Sequence, residues 1–215
     1  MKRMRETLTK NEGVASGIYV KEYLPVEFKG ETVECLFYIM NEETKPNILP
    51  TAEYFYRIYS GYKEFSLSYE PLFKGLFEAW ELRDNTDEYV LYVAYGTNLI
   101  IDEMKNRCPK SFPLGKGIIK DYKLVFNCFA DIRESMRDSV QVGVWAIHKH
   151  DLKNLDYYEG YPSLYNKKNI TVNINNTVKE ALVYFMVDNK TENPPYASVI
   201  ERTKQGYKDF NIMVE

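Results

Sequence analysis

Parts of this 215-residue chain repeat one another, and an internal repeat restricts the possible folds more than any single motif does. The segment ECLFYIM at 34–40 recurs as EALVYFM at 180–186, with Glu, Leu, Tyr and Met in the same places. The segment GYKEF at 61–65 recurs as GYKDF at 206–210. Two matches in the same order indicate that an element of the fold occurs twice.

A third match strengthens this interpretation. NEG at 11–13 pairs with YEG at 158–160, and the spacing drifts only from 147 to 145 residues along the three matches. Three chance matches in one order at nearly one spacing are very improbable. We therefore predict that residues ~8–65 and ~155–210 are two copies of one structural unit.

The two copies are unequal in what precedes them. About seventy residues without a counterpart precede the second copy, so the chain is predicted to hold one complete unit and one back half. The polar, acidic stretch ELRDNTDE at 81–88 lacks apolar periodicity and is typical of a linker. We predict a partial, degenerate back-half repeat over 1–83 and a complete domain over 84–215.

Local patterns in the complete copy predict more strands than helices. Short runs of β-branched and aromatic residues predict strands at 89–96, 121–130, 140–148, 169–174 and 180–187, the last two joined by an Asn-rich turn. Helical patterns occur at 98–108, before Pro109, at 149–160 and at 195–210, and Gly160 and Gly206 suit helix ends. The fold class predicted is α+β, a mixed sheet closing into a small barrel with flanking helices.

The first copy repeats the back half of this pattern. Strands are predicted at 23–28 and 34–40, followed by a helix at 51–65. The fold prediction therefore includes a partial repeat of the same unit.

Composition excludes several classes of protein. A net charge of −3 gives no general basic field, so nucleic acid is not an expected partner. No apolar run approaches the ~20 residues of a membrane helix, and MKRMRETLTK lacks the apolar core of a secretion signal. The three cysteines, Cys35, Cys108 and Cys128, are odd in number and widely spaced, which indicates reduced thiols in a cytoplasmic protein.

The stretch AYGTNL at 94–99 is a candidate binding turn. It ends a predicted strand and precedes a predicted helix, so its backbone N–H groups would favour an anionic oxygen such as a carboxylate or phosphate. Taken alone, an ordinary strand-to-helix turn capped by Thr97 or Asn98 explains the stretch better.

Glu159 is a candidate acid–base residue. It ends a predicted helix among Tyr157, Tyr158 and Tyr161, and an aromatic setting raises the pKa of a carboxyl group by disfavouring its charged form. Such a glutamate becomes a usable base near neutral pH. Taken alone, a solvated glutamate at a helix end is the simpler interpretation.

Two other groups carry weaker signals. His148 and His150 could share a strand face and bind a metal, but no third ligand is visible, so exposed histidines are expected and no metal site is predicted. Cys108 and Cys128 lack a histidine partner in the sequence pattern and are expected to be structural thiols.

Taken together, these motifs resemble the γ-glutamylcyclotransferases and their relatives. That family has a Tyr-Gly-Ser-Asn-Leu turn, an Asp-Tyr-x-Leu-x-Phe strand, a Trp-containing strand, a Leu-Asp-x-x-Glu-Gly helix end and a later Tyr. The corresponding residues of this chain are YGTNL (95–99), DYKLVF (121–126), VGVWAI (142–147), LDYYEG (155–160) and Tyr165. The resemblance covers roughly residues 90–210, and EGVASGIYV in the first copy resembles only the back half of the family's unit.

The resemblance implies roles for individual residues. Glu159 would act as general base or proton shuttle, and Tyr165 would help to close the pocket. The turn that would hold the γ-glutamyl group consists of Tyr95, Gly96, Thr97, Asn98 and Leu99. Thr97 stands where the family usually has Ser, which keeps the hydroxyl and adds a methyl group.

The resemblance also implies a reaction without cofactor or metal. The α-amine of a small γ-glutamyl substrate would attack the γ-carbonyl of the same molecule, releasing 5-oxoproline and a free amine or amino acid, by proximity and by proton transfer through Glu159. The alternative is a non-catalytic binding or regulatory module with the same fold.

The first copy is predicted to be non-catalytic. Glu12 has the same position in the first copy as Glu159 has in the second, but no turn like YGTNL precedes Glu12. This half copy would pack on the complete domain, pair with the half copy of another chain in a homo-oligomer, or belong with an upstream segment absent from this sequence. The sequence leaves these three arrangements open.

Overall fold

The computed structural model describes residues 13–41, 49–82, 87–188 and 191–213. Its contacts divide the chain into two compact units, residues 1–48 and 49–215. Glu12 and residues 83–86 of the predicted linker lie outside the described residues. None of the helices in the described ranges combines the length and apolar character needed to cross a bilayer.

The first unit contains an antiparallel hairpin of β1 (Tyr19–Phe28) and β2 (Glu31–Met40). Lys29 and Gly30 form its two-residue turn with φ angles of 52° and 82°, the left-handed geometry that matches the twist of a tight hairpin. Both predicted strands are confirmed, and each begins three or four residues earlier than the sequence pattern indicates.

The second unit is built around a closed five-stranded barrel. Its strands are β3 (Tyr89–Ala94), β4 (Phe112–Asn127), β5 (Phe129–His148), β6 (Tyr165–Ile174) and β7 (Thr177–Met186). The order around the barrel is β3-β5-β4-β6-β7, with antiparallel neighbours except for the parallel pair β3 and β7. The predicted mixed sheet closing into a small barrel is confirmed.

Two predicted strands are wrong in their extent, 121–130 and 140–148, and the second of them is only the later half of β5. Residues 121–130 contain the end of β4, a tight turn and the start of β5, with Asn127 opposite Phe129 and Cys128 at a φ of 60°. The turn carries neither glycine nor proline, and its flanks are aromatic, so the sequence pattern reads as one continuous strand. The β6–β7 turn, in contrast, is Asn175–Asn176 with both φ angles positive, as the Asn-rich stretch predicts.

In the described part of the second unit, five helices flank the barrel. They are α1 (Ala52–Glu64), α2 (Glu70–Glu81), α3 (Ile101–Arg107), α4 (Leu152–Tyr158) and α5 (Ala197–Asp209). Short 3-10 turns precede α3 and α4 at Thr97–Leu99 and Lys149–Asp151. The predicted helices at 51–65, 98–108, 149–160 and 195–210 are thus confirmed within a few residues.

The helices α1 and α2 join the core of the barrel unit. Phe55 of α1 lies 6.4 Å from Phe112 between ring centroids, and Phe73 of α2 lies 5.4 Å from Phe210. The Tyr56 hydroxyl donates a hydrogen bond to the Ser111 carbonyl oxygen at 3.1 Å. Burial of these aromatic faces explains why the compact units divide between residues 48 and 49, whereas the sequence predicts a division at 83/84.

The secondary structure recurs at a nearly constant spacing. β1 and β6 start at Tyr19 and Tyr165, a spacing of 146 residues, and the starts of β2 and β7 have the same spacing. α1 and α5 start at Ala52 and Ala197, 145 residues apart. This agrees with the spacing of the sequence matches, while the origin of the two copies from one unit stays a prediction.

Gly206 does not end its helix as predicted, because α5 continues to Asp209. A Cβ atom on Gly206 would lie 2.3 Å from the Leu99 Cβ, so the missing side chain serves a close helix–turn contact. Gly160, in contrast, follows the end of α4 with a φ of 62°, which is the expected left-handed helix stop.

Candidate active site

A pocket of about 250 Å³ opens beside the turn that follows β3. Residues from β3 and the turn after it, β5, the end of α4, β6, β7 and α5 line it. Its first wall comprises Tyr92, Tyr95, Gly96, Thr97 and Asn98, its second wall Tyr158, Glu159, Tyr165 and Tyr184, and its apolar end Phe129, Ala130, Leu164 and Val199. The fold therefore brings the predicted turn, Glu159 and Tyr165 into one cavity.

The turn after β3 is shaped by a close contact behind it. A Cβ atom on Gly96 would lie 3.1 Å from the Ala130 Cβ, so a glycine lets the turn approach the β4–β5 hairpin. Leu99 N–H donates to the Gly96 carbonyl oxygen, and Ile100 N–H donates to that of Thr97. Thr97 and Asn98 begin this 3-10 turn. Their backbone N–H groups have no carbonyl partner within the turn, because no turn residue precedes them. They are suited to bind an anionic oxygen.

Leu99, which the resemblance places in the binding turn, does not line the pocket. Its side chain is fully buried and lies against Gly143 and Gly206, whose missing side chains leave room for it. Leu99 therefore anchors the turn in the core, and the other four residues of the turn face the cavity.

Glu159 lies directly after α4 and reaches the turn across the pocket. Asn98 Nδ2 donates to Glu159 Oε1 at 2.5 Å and to the Tyr92 hydroxyl at 2.8 Å. The buried Asn98 amide thus links the binding turn to the carboxylate. Thr97 Oγ1 and the Tyr158 hydroxyl lie 3.3 Å apart and form a second bridge between the same two elements.

Burial raises the pKa of Glu159 from 4.5 to about 7. The hydrogen bond from Asn98, the positive charge of Arg107 and the hydrogen bond with Tyr92 lower this pKa, but less than burial raises it. A carboxyl group with this pKa exchanges a proton readily near neutral pH, as an acid–base catalyst requires.

The aromatic surroundings of Glu159 differ from those predicted. Tyr157 is 89% exposed and does not line the pocket, nor does Tyr161, whereas Tyr158 does. The larger aromatic contribution comes from Tyr92 and Tyr95, on β3 and the turn after it, and from Tyr165 and Tyr184, on the distant β6–β7 hairpin. Tyr92 and Tyr184 were missed because only barrel closure brings β3, β7 and α4 together.

Hydroxyl groups of these tyrosines hold the walls of the pocket. Tyr95 donates to the Tyr184 carbonyl oxygen at 2.8 Å, and Tyr165 donates to that of Ala130 at 2.7 Å. The Tyr184 hydroxyl donates to Asp156 Oδ1 at 2.6 Å. Burial raises the pKa of Tyr95 and Tyr165 well above the usual value, so both remain protonated donors.

Arg107 fixes the orientation of the Asn98 amide. Its Nη1 donates to Asn98 Oδ1 at 2.5 Å, which directs the Asn98 NH2 group towards Glu159 and Tyr92. Its guanidinium lies 3.6 Å from the ring centroid of Tyr158 and also binds Glu103, which binds Arg202 as well. The sequence motifs do not include Arg107, although it lies twelve residues after Tyr95 and within the predicted helix at 98–108.

The two histidines and the buried cysteine have structural roles. His150 N–H donates to His148 Nδ1, and the described residues contain no cluster of three or more potential metal ligands. Burial and the neighbouring Asp151 raise the pKa of Cys108 to about 12, so its thiol is protonated at neutral pH and is a poor nucleophile.

Comparisons with known proteins agree with the geometry. A family model described as gamma-glutamyl cyclotransferase, AIG2-like, matches residues 92–203. A curated gamma-glutamylcyclotransferase of Bos taurus is 27% identical over 148 residues, which cover 63% of this chain and 79% of the bovine protein. A solved structure described as gamma-glutamyl cyclotransferase has a TM-score of 0.53 and 26% identity, covering 57% of this chain and 80% of that one.

A second solved structure, of a human protein described as uncharacterized, has a TM-score of 0.52, the same identity and the same coverage. The family match includes the turn at 95–99 and Glu159. The similarity therefore covers the part of the chain that builds the pocket.

Proposed function

The chain belongs to the AIG2-like gamma-glutamyl cyclotransferase family, and from this premise we propose that it is a γ-glutamylcyclotransferase-type enzyme. The predicted family resemblance is confirmed over the barrel. The observation that supports the proposal further is the Glu159 carboxyl group, which lines the pocket, accepts a hydrogen bond from Asn98 and has a pKa near 7.

In the proposed reaction, the substrate supplies both the nucleophile and the electrophile. A bond forms between its α-nitrogen and its γ-carbonyl carbon, and the bond from that carbon to the leaving nitrogen breaks. Two protons move from the α-ammonium group to the leaving nitrogen, so the overall reaction neither consumes nor releases a proton. The protein holds the substrate folded, and this proximity lowers the barrier without a protein nucleophile.

Individual residues have separate tasks in this proposal. Glu159 takes the two protons one after the other from the α-nitrogen and passes each in turn to the leaving nitrogen. The N–H groups of Thr97 and Asn98 hold the α-carboxylate or the developing oxyanion. Tyr95, Gly96 and Tyr165 form walls that exclude water, and Leu99 supports the turn from the core.

The direct test is release of 5-oxoproline by the purified protein. We expect release from at least one of γ-glutamyl-alanine, γ-glutamyl-lysine and glutathione, measured by chromatography against a sample without protein. Absence of release from all three, by protein with a cooperative thermal transition, would contradict the proposal.

The pH dependence of the reaction should report on Glu159. Because the base must be unprotonated and its pKa is about 7, kcat/KM should rise about tenfold per pH unit below that value and level off above it. A series of initial rates between pH 5 and pH 9, at substrate concentrations far below KM, would give this profile. An acid limb with its midpoint near 4.5 would show that the base titrates as an ordinary solvated carboxyl group, and it would contradict a buried Glu159 with a raised pKa as the base.

A non-catalytic binding role is the second candidate. One observation favours it: the hairpin of the first unit carries exposed Val20, Phe28 and Phe37, and a two-stranded sheet is marginally stable without a partner. We propose that this partial repeat pairs with a second copy of the chain in a homo-oligomer. Light scattering on full-length protein would detect such pairing, and a strictly monomeric protein would contradict it.

The cellular location is part of the same proposal. All three cysteines are free thiols, which supports the cytoplasmic location that the cysteine pattern predicts.

A further inference from the structure

The pocket has two ends of unlike chemistry. At the inner end, Tyr92, Tyr95 and Asn98 are buried and bring polar atoms close to Glu159. At the outer end, Phe129 and Leu164 are each 43% exposed and add apolar surface. A bound molecule would therefore meet hydrogen-bonding groups at its buried part and apolar side chains where it projects outwards.

The outer end is assembled from three separate elements. Phe129 begins β5, Leu164 immediately precedes β6, and Val199 lies in the first turn of α5. The Phe129 ring packs edge-on against Tyr196 with 5.5 Å between centroids, and Tyr196 N–H donates to the Cys128 carbonyl oxygen. These contacts tie the β4–β5 turn to the start of α5, so the apolar end exists before any ligand binds.

The outer end offers no charge to a ligand. Apart from the tyrosines, Glu159 is the one ionisable residue among those lining the pocket in the described part of the chain. The neighbouring cations, Arg107 and Arg202, contact Tyr158 and both bind Glu103. A charged side chain of a leaving group placed beside Phe129, Leu164 and Val199 would therefore gain no ionic partner from the residues that line the pocket.

The chemistry of cyclisation decides which part of a substrate lies at each end. The α-amine and the γ-carbonyl both belong to the γ-glutamyl part, which must reach Glu159 and the turn. The leaving group is attached to the γ-carbonyl and must extend away from them. Resting on the proposed function, we propose that Phe129, Leu164 and Val199 form a leaving-group subsite, and that the substrates are γ-glutamyl amides of apolar amines or apolar amino acids.

The test compares kcat/KM for four substrates that differ only in the leaving amino acid: γ-glutamyl-leucine, γ-glutamyl-alanine, γ-glutamyl-aspartate and γ-glutamyl-lysine joined through its α-amine. For the wild-type protein we expect leucine to exceed alanine about 10-fold, because its added methyl and methylene groups leave water on binding. The two leaving amino acids with charged side chains, aspartate and lysine, should be poorer than alanine. A parallel assay with γ-glutamyl-isoamylamide tests whether an apolar amine without a carboxylate is accepted.

Two variants of Leu164 make the test specific to this subsite. This side chain is half exposed, so a charged replacement is compatible with folding. Leu164→Asp should lower kcat/KM for γ-glutamyl-leucine about 10-fold and favour γ-glutamyl-lysine, and Leu164→Lys should favour γ-glutamyl-aspartate. The matched control is Leu67→Asp, at an exposed leucine between α1 and α2 outside the pocket, which should leave all ratios unchanged.

The outcomes separate this inference from the function on which it rests. An apolar preference that both Leu164 variants redirect would support the subsite. Turnover of all substrates at equal rates, a preference for a charged leaving group, or ratios unaffected by Leu164 variants would overturn it while leaving the cyclotransferase proposal intact. No 5-oxoproline from any substrate by folded protein would overturn the proposed function, and the subsite with it.

Discussion

Replacement of Glu159 with glutamine is expected to lower the rate of 5-oxoproline release by about 10³-fold. Glutamine keeps the size of the side chain, and its carbonyl oxygen can still accept the hydrogen bond from Asn98. It cannot take a proton from the α-ammonium group at neutral pH. The loss should therefore fall on kcat much more than on KM, because substrate binding uses the turn and the pocket walls. Steady-state kinetics of the Glu159→Gln variant measure both values.

The matched control is Glu64→Gln, at an exposed glutamate of α1, which should leave the rate unchanged. A Glu159→Gln variant with a rate near that of the wild type would exclude Glu159 as the base.

Stability measurements separate loss of chemistry from loss of fold. The raised pKa means that the folded state favours protonated Glu159, so the stability that this group contributes is present below about pH 4.5 and lost as pH rises through about 7. At pH 8 the variant should be more stable than the wild type by at most about 3 kcal/mol. Denaturant titrations at pH 4 and pH 8 test this, and a destabilised variant at pH 8 would contradict the cause given for the pKa shift.

Replacement of Gly206 with alanine should give the largest loss of stability, about 2–3 kcal/mol. The new Cβ would lie 2.3 Å from the Leu99 Cβ and 3.1 Å from the Leu99 carbonyl carbon, so α5 and the turn must separate. Because Asn98 adjoins Leu99, the same movement should weaken the hydrogen bond to Glu159 and lower kcat/KM in the molecules that remain folded. Chemical denaturation and kinetics on the same preparation measure both effects.

Gly75→Ala is the matched control for this prediction. Gly75 lies in the exposed part of α2, and no atom lies within 4 Å of the position of its added Cβ. In the interior of a helix, alanine is more favourable than glycine, so this variant should gain about 0.5–1 kcal/mol. Equal free energies of unfolding for the two variants would show that crowding at Leu99 is relieved at no cost.

The local elements of the fold could be predicted because each has a local cause. The alternation of apolar residues in β6 and β7, the Asn175–Asn176 turn and the glycine after α4 can all be recognised within ten residues of sequence. The extent of β4 and β5 could not be recognised, because the positive φ of their turn falls on Cys128, which is neither a glycine nor an asparagine. Gly206 was assigned to a helix end because its contact, Leu99, lies more than a hundred residues away.

The candidate site was predicted only in part, because some of its residues belong to contiguous motifs and others reach it from distant parts of the sequence. Glu159 and the turn belong to contiguous motifs, and the structure brings them within one hydrogen bond of each other through Asn98. Arg107 and Tyr184 act through side chains that meet the site only in the folded barrel. Tyr157 was expected beside the Glu159 carboxyl group because it lies two residues before it, but a helix points side chains two positions apart in different directions, and Tyr157 is exposed.

Tyr92 has two roles that connect the pocket to the integrity of the barrel. Its backbone pairs with Leu182 where the parallel strands β3 and β7 close the barrel, and its side chain lines the pocket and accepts a hydrogen bond from Asn98. A molecule bound in the pocket would therefore stabilise the barrel where β3 pairs with β7. Occupancy should slow amide-proton exchange in β3 and β7, so the lifetime of the folded protein in a cell would depend on the concentrations of its own substrate and product.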